Sequence, residues 1–278
     1  MDLSTVLIDH IIRGVMQDKA TKEVMWGLTQ ITEPSLEGSV ESQDIVDFLN
    51  SPIASLDRAK TLTFSGSNAL FDLSLLAAQF GGTRNFSSSS NTFTAPAFEE
   101  FTVKYSASGG GTVTLKHTPV GTGAAGIPYI YRLDKMGNAI EKYAYGAEAA
   151  ASIFTFSGTT LTYPTGIVTA GNPEETFLVI YDYTANESDK ALEIVNSGDK
   201  FPKAGMFTME ALFRDNCNQE TCYYGYLQLP NAKLDGNFNI NITPDGKHPF
   251  SMRALQDYCS SDKKLCRVII PDTIADAA

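Results

Sequence analysis

A strand-like segment runs directly into a helix-like segment through the residues Phe-Ser-Gly-Ser-Asn at positions 64–68. A serine at such a junction can be a catalytic nucleophile, and a glycine-rich junction can bind phosphate. This junction lacks the flanking glycines of a Gly-x-Ser-x-Gly nucleophile elbow, and it lacks the lysine of a phosphate-binding loop. The side-chain oxygen of Ser67 or Asn68 is instead suited to accept hydrogen bonds from the free amides of a first helical turn. We therefore predict that Ser67 or Asn68 caps a helix and takes no part in catalysis.

The helix that follows is predicted over residues 68–80, because its apolar residues recur at helical spacing. Two glycines, Gly81 and Gly82, come directly after it and are typical of a helix end. The face predicted to be buried consists of Leu70, Leu73, Leu76, Ala77 and Phe80.

A second pattern, Gly-Thr-Gly-Ala-Ala-Gly at residues 121–126, matches the glycine fingerprint of dinucleotide-binding proteins. That fingerprint binds pyrophosphate only where a strand precedes it and a helix follows it. The downstream residues 127–133 are aromatic and β-branched, and Pro128 interrupts them, so that a strand is expected there. The segment is predicted to be a loop that binds no cofactor.

The three histidines, His10, His117 and His248, are far apart in the chain. None is followed by a second potential ligand two to four residues later, so the sequence contains no local metal motif. His248 lies in the turn-like segment Pro-Asp-Gly-Lys-His-Pro and is predicted to be a surface residue. No serine, histidine and aspartate can be assigned to a catalytic triad, and we predict a protein that is not an enzyme, with no metal and no cofactor.

All four cysteines lie in the last quarter of the chain, and their spacings, Cys-x4-Cys and Cys-x6-Cys, are poor for zinc. Each pair flanks a polar, turn-like segment. Free thiols are expected in a cytoplasm, and disulfides are the alternative after release into an oxidising medium. If the chain forms a polymer, both pairs are also candidates for cross-links between subunits. The cysteines are Cys217, Cys222, Cys259 and Cys266.

Most of the chain alternates short strand-like segments with turns rich in glycine, proline and asparagine, which predicts an antiparallel β-sandwich or barrel. Two helices interrupt this pattern, one over residues 68–80 and one over residues 3–16. The second has apolar residues at 3, 7, 11, 12, 15 and 16 and is predicted to be an N-terminal helical arm. The predicted domains are an arm with connecting strands, 1–57, and a β-sandwich domain, 58–278, with a possible inserted β subdomain around 105–190.

Charge and hydropathy exclude several functions for this chain of 278 residues. The net charge is −11, from 32 acidic and 21 basic residues, and no cluster of lysines and arginines could hold phosphates tightly. No apolar run approaches the roughly 20 residues that span a bilayer, and the N-terminus does not read as a secretory signal. The acidic residues between 33 and 47 lack the order of a calcium loop and are predicted to line an edge that faces solvent or another subunit.

The C-terminal third of the chain resembles virion structural proteins of tailed bacteriophages, particularly the major tail tube class. Residues 196–258 carry the resemblance, with Glu-Ala-Leu-Phe at 210–213, PNAKLDGNFNI at 230–240 and MRALQDY at 252–258. Residues 40–82 are similar to the front half of such proteins. The similarity includes no catalytic signature.

The resemblance implies a β-sandwich flanked by a helix, whose protomers join their sheets side by side into a ring. Rings would stack through loops and terminal arms, here the N-terminal helix or the loop at residues 84–94, and DNA would pass through the lumen. The implied partners are further copies of the chain, other virion proteins such as a sheath or tail terminator, and DNA in passive contact, with no membrane. The protein would belong to the virion and assemble in the host bacterial cytoplasm. A capsid decoration or cement protein and a carbohydrate-binding adhesion module remain alternatives.

Overall fold

The computed structural model describes residues 6–105, 111–216, 220–256 and 263–271. The chain is mainly β, as predicted, and it divides into two compact units. The first consists of Met1–Asn85 with Ile194–Ala278, and the second is Phe86–Glu193. The strands in chain order are β1 (Val6–Gln17), β2 (Val24–Leu28), β3 (Ile31–Val46), β4 (Pro52–Asn68), β5 (Arg84–Phe86), β6 (Phe93–Lys104), β7 (Thr112–Thr114), β8 (Tyr129–Leu133), β9 (Ala139–Tyr145), β10 (Ile153–Ser157), β11 (Thr160–Thr162), β12 (Glu174–Ala185), β13 (Leu192–Ile194), β14 (Ala204–Asp215), β15 (Cys222–Leu234), β16 (His248–Ala254) and β17 (Arg267–Ile269).

The first unit contains one antiparallel sheet in the order β2-β1-β14-β15-β16-β4-β3, with β17 paired to part of β15. The sheet curls into a nearly closed barrel, which brings β1 and β3 close together. Gly14 on β1 is required for this approach, because a Cβ atom at this position would lie 2.8 Å from Cδ1 of Ile31. The large buried side chains that fill the barrel include Met16, Trp26, Phe64, Phe207, Leu229 and Met252.

The second unit contains a seven-stranded sheet in the order β6-β12-β8-β9-β10-β11-β7. Its pairs are antiparallel except for β9 and β10, which are parallel. The unit has its own core, built around residues such as Phe154, Phe177 and Ile130. Residue 57, where the sequence analysis places a domain boundary, lies inside β4, and the second unit covers the predicted insertion at 105–190. A short sheet pairs β5 with β13.

The predicted N-terminal helical arm is wrong, because residues 6–17 form strand β1. This strand pairs with β14 on one side and with β2 on the other, so it is an inner strand of the sheet. Two register shifts interrupt it, between Ile8 and His10 and between Ile11 and Arg13. Bulges of this kind break the two-residue alternation of a strand, and the resulting apolar pattern imitates helical spacing.

The structure forms an α-helix, α1 (Leu73–Gln79), within the predicted range but five residues later than its predicted start. The predicted buried face is wrong in part: Leu73 is 42% exposed, whereas Leu75 is fully buried in the barrel core. Gln79 is also buried, and its Nε2 donates to the carbonyl oxygen of Pro249 at 3.0 Å. Because glutamine is polar, a pattern of apolar residues places Gln79 in solvent. The predicted buried face of the helix therefore differs from the observed one.

Candidate assembly surface

A long β-hairpin formed by β3 and β4 is the most exposed regular structure in the first unit. The two strands pair from Ile31 and Asn68 to Val46 and Pro52. Only the base of this hairpin contributes to the barrel, through Phe64 and neighbouring residues. Across residues 36–61 every residue except the half-buried Asp47 is exposed to solvent. The hairpin therefore extends the sheet well beyond the core that its own unit provides.

The two faces of the hairpin differ in chemistry. On one face Leu36 and Val40 continue the line of the buried Phe64, with which Leu36 is paired, although both are about half exposed. Near the barrel the opposite face is polar, and the hydroxyl groups of Ser39 and Thr61 lie 2.6 Å apart across the strands. Nearer the tip that face also carries the exposed apolar residues Ile45 and Leu56. Side-chain alternation in a strand produces this division, since successive residues point to opposite faces.

The same polar face holds a second cross-strand contact, in which the guanidinium of Arg58 donates to Oε1 of Gln43 at 2.6 Å. Cross-strand pairs of this kind stabilise a two-stranded ribbon that has little core of its own. The hairpin is thus a defined structure rather than an extended loop, and both of its faces carry exposed apolar side chains.

The tip of the hairpin is a turn fixed by Asp47. Its carboxylate oxygen Oδ1 accepts hydrogen bonds from the amides of Leu49 and Ser51 at 2.8 and 2.9 Å, and the amide of Asp47 donates to the carbonyl of Ser51 at 2.9 Å. The turn holds Phe48 and Leu49 at the end of the hairpin, 93% and 70% exposed. Two adjacent apolar side chains on an ordered, projecting turn are suited to bury themselves against another protein surface.

The predicted helix caps are wrong, because Ser67 and Asn68 are the last residues of β4 and not the start of a helix. Each pairs with residues on both neighbouring strands, and this ladder extends β4 beyond the expected junction. The cap of α1 is Asp72, whose carboxylate accepts hydrogen bonds from the amides of Ser74 and Leu75 at 2.8 Å. An aspartate followed by a helical segment was the sequence signal for this role.

The structure describes two of the four candidate cysteines, and both are free thiols. Cys222 begins β15, whereas Cys266 precedes β17 and is packed partly against the barrel core, where burial raises the pKa of its thiol. Because Arg267 pairs with Gln228, Cys266 lies near Leu229, seven residues along β15 from Cys222. That separation is about 23 Å, far beyond the roughly 4–7 Å between the Cα atoms of a disulfide.

Cys217 and Cys259 lie outside the described residues, so the pairing of each with its neighbour in sequence stays a prediction. Cross-linking between subunits also stays a prediction.

The remaining candidates from the sequence are the glycine fingerprint and the three histidines, and the structure places each of them. Residues Gly123–Ala125 of the glycine fingerprint form a short 3₁₀ turn, and the next element is strand β8. His248 is not a surface residue as predicted but is fully buried at the start of β16. His10 lies on β1, with its Nδ1 2.9 Å from the Asp9 carboxylate. His117 stacks on the ring of Tyr183 in the second unit.

Two polar clusters in the second unit are held by contacts within that unit. Arg132 lies 3.0 Å from the carboxylates of both Glu141 and Glu175, and the Tyr143 hydroxyl donates to Glu141 at 2.7 Å. Burial, together with the hydrogen bond to Glu141, raises the pKa of Tyr143 far above its ordinary value. The guanidinium attracts both carboxylates at this distance, so this arrangement suits a structural ion-pair network.

In the second cluster the buried Glu99 accepts hydrogen bonds from the Tyr181 hydroxyl and from the amide of Lys116. Burial and the bond to Glu99 raise the pKa of Tyr181. Across the described ranges, no group of three or more histidine, cysteine, aspartate or glutamate residues could hold a metal ion. No helix among those residues is both long enough and apolar enough to cross a bilayer.

Comparison with known proteins decides the family of this chain. The model of the YomU/Tube protein family matches residues 6–266, which is nearly the whole sequence. The chain belongs to the YomU/Tube protein family. The resemblance to phage tail tube proteins noted in the sequence is thereby confirmed at the level of the family. No curated protein matches the chain.

Sequence reasoning did not identify the long hairpin of β3 and β4. The acidic residues between 33 and 47 were interpreted as an edge facing solvent or a subunit, but their place on a single long hairpin was missed. The signal was present, since two alternating segments flank Asn50 and Pro52, a turn-like sequence. The family membership and the mainly β fold together support a tail tube-like protein.

Proposed function

We propose that this chain is the tail tube subunit of a bacteriophage, which polymerises into stacked rings that form the conduit for DNA. The observation that carries the proposal is the hairpin of β3 and β4. It projects beyond the barrel and leaves apolar side chains along its length and at its tip in water. Monomeric soluble proteins rarely keep a large contiguous apolar surface exposed, and such surfaces mark interaction sites.

A polymer also needs surfaces through which its copies join, and the edge strands of the first sheet can supply them. β2 and β3 stand at the ends of the strand order, and in the part of the chain that the structure describes β3 pairs only with β4. An unpaired edge of 16 residues is a template for strand addition by another copy. Sheets joined in this way would build a ring, and the hairpin would reach a neighbouring copy.

The charge of the chain fits a conduit rather than a nucleic-acid-binding protein. A net charge of −11 repels phosphate groups, so DNA in the lumen would touch the wall only in passing. We propose that the protein acts without catalysis as part of the virion after assembly in the host bacterial cytoplasm. Its further partners would be other virion proteins, such as a sheath or a tail terminator, and the assembly would need no membrane.

Negative-stain microscopy of the purified protein tests this function, and long hollow tubes are expected. A shortened variant supplies the matched control: residues 40–60 are replaced by Asn-Gly, which joins the paired residues Ser39 and Thr61 through a two-residue turn. The barrel core is kept, so circular dichroism and the melting temperature should remain close to those of the full-length protein. The shortened protein should stay dispersed where the full-length protein forms tubes.

The same micrographs separate the alternatives. Small closed oligomers would support a capsid decoration or cement protein, and monomers that bind polysaccharide would support an adhesion module. Either result from the full-length protein over a wide range of concentrations would contradict the tube subunit. Tubes from the shortened variant would show that the hairpin is not the assembly element.

A further inference from the structure

The first unit carries an open, aromatic pocket next to the end of α1. Phe80, Phe201 and Phe238 line it together with Lys200, and it encloses about 180 Å³. The rings of Phe80 and Phe238 lie 5.6 Å apart and tilt by 37°, while Phe201 is largely exposed. The three aromatic side chains give the pocket apolar surface, and Lys200 adds a positive charge to a lining that also includes Asn196 and Ser197.

The pocket is held in shape by the backbone around it. Gly81 ends α1 with φ near +70°, and a Cβ atom there would lie 2.4 Å from the backbone of Phe201. The amides of Gly81 and Gly82 donate to the carbonyls of Ala78 and Ala77, which closes the last helical turn. Phe201 is therefore pressed against a fixed helix end, and the pocket exists before any ligand arrives.

The pocket and the hairpin tip lie at opposite ends of the same sheet. β4 runs from Pro52, next to the tip, to Asn68, and a strand of 17 residues is about 50 Å long. α1 packs at the Asn68 end, because the amide of Asp72 donates to His248, the partner of Asn68 in the ladder. The hairpin is paired along its whole length, so the tip of one chain cannot fold back into the pocket of that chain.

We propose that Phe48 and Leu49 at the hairpin tip of one copy insert into the pocket formed by Phe80, Phe201 and Phe238 of a second copy. This inference rests on the proposed function and names the contact that would join successive rings. The tip is apolar and projecting, and the pocket is apolar and open. Asp44 and Asp47 beside the tip would face Lys200 at the pocket rim, so the charges are complementary as well.

The placement of the two surfaces gives this contact a direction. Phe48 and Leu49 form a knob at one end of the sheet, and the pocket lies at the other end, so the contact between two copies is heterologous and head-to-tail. Every copy that binds exposes a new pocket or a new knob. Such contacts do not close on themselves along the axis, which is the requirement for a tube. An isologous contact between two hairpin tips would instead stop at a pair of rings.

The test uses full-length protein in two variants, one at each side of the contact. Phe48→Ser with Leu49→Ser removes the knob, while Gly236→Trp obstructs the pocket from its lining, where a Cβ atom meets no atom within 4 Å. The matched control is Met136→Ser, a substitution of another highly exposed apolar residue in the second unit. Each contact variant should raise the critical concentration for tube formation about ten-fold or more, and the control should leave it unchanged.

Mixing the two variants gives the decisive result. The intact pocket of the knob variant can accept the intact knob of the pocket variant, but that contact cannot propagate. Each variant is first assembled alone, so that each ring contains one variant only, and equal amounts of the two kinds of ring should then form pairs of stacked rings in micrographs and no tubes. Tubes of normal length from the knob variant alone, at the normal critical concentration, would overturn the inference while leaving the proposed function intact.

If the wild-type protein forms no tubes, the proposed function fails, and the contact itself is still testable. Sedimentation of the mixture should then show a heterodimer that neither variant forms alone. Absence of that heterodimer would overturn the inference independently.

Discussion

His248 and Gln79 share a buried hydrogen bond, in which the imidazole Nε2 lies 2.9 Å from the side-chain Oε1. On the other side of the ring, Nδ1 accepts from the amide of Asp72 at 3.2 Å. Because Nδ1 must accept, the proton belongs on Nε2, and the histidine is neutral. This pair fastens α1 to the start of β16 in the barrel.

The free energy of unfolding should depend on pH because His248 is buried in its neutral form. Burial lowers the pKa of His248 below its ordinary value near 6.5, and the Asp72 carboxylate opposes this effect only in part. Between the folded-state pKa and about 6.5 the unfolded chain binds more protons, so the free energy of unfolding falls as the pH falls. Above about pH 6.5 the contribution of His248 is fully present. Urea unfolding from pH 5 to 8 measures this slope.

A variant comparison assigns the slope to one residue. His248→Gln should lower stability at pH 7.5 and flatten the dependence below pH 6.5. Equal slopes in the wild type and in His248→Gln would show that other groups dominate.

The two leucines Leu73 and Leu75 in α1 should respond differently to truncation. Leu75 is fully buried in the barrel core, so Leu75→Ala should cost about 2–5 kcal/mol of unfolding free energy. Leu73 is 42% exposed, and Leu73→Ala should cost less than about 1 kcal/mol. Chemical denaturation of both variants measures the difference. A larger loss for Leu73 would restore the helix face predicted from sequence.

Alanine substitutions at Gly81 and Gly137 distinguish the free-energy cost of backbone strain from that of steric overlap. Both have positive φ, so alanine at either position carries a conformational cost of about 1 kcal/mol. At Gly137 the new Cβ would meet nothing within 4 Å, but at Gly81 it would overlap the backbone of Phe201. Gly81→Ala should therefore destabilise the protein by at least about 1 kcal/mol more than Gly137→Ala does. Equal melting temperatures of the two variants would contradict the tight approach of Phe201 to α1.

The sequence predicted the mainly β fold because turns and β-branched segments are local signals. It could not predict the hydrogen bonds that join distant strands. Ser67 and Asn68 match a helix cap locally, yet their ladder partners lie on β3 and β16, and long-range pairing overrode the local preference. His248 was placed at the surface for the same reason, because its partners Gln79 and Asp72 lie about 170 residues earlier in the chain.

The assembly surface was predictable in part. The resemblance to tail tube proteins was visible in the sequence, but the projecting tip was not, since exposure of Phe48 depends on how far the hairpin outruns the barrel. Apolar residues in a strand are ordinarily expected to be buried. Only the structure shows that residues 36–61 have no core beneath them.

Removal of residues 1–17 tests the corrected role of the N-terminus. As a helical arm, this segment would be dispensable for the fold, and its loss would impair only stacking. As β1, it supplies the core residue Met16 and pairs with both β14 and β2. Its loss would leave β2 without its partner strand and would expose one edge of β14, which would still pair with β15. The truncated protein should lack a cooperative thermal transition for the first unit, measured by circular dichroism and calorimetry. Ile8→Ser, which changes an exposed side chain of the same strand, should keep the wild-type melting temperature within a few degrees. A truncated protein that melts cooperatively near the wild-type temperature would contradict the place of β1 inside the sheet.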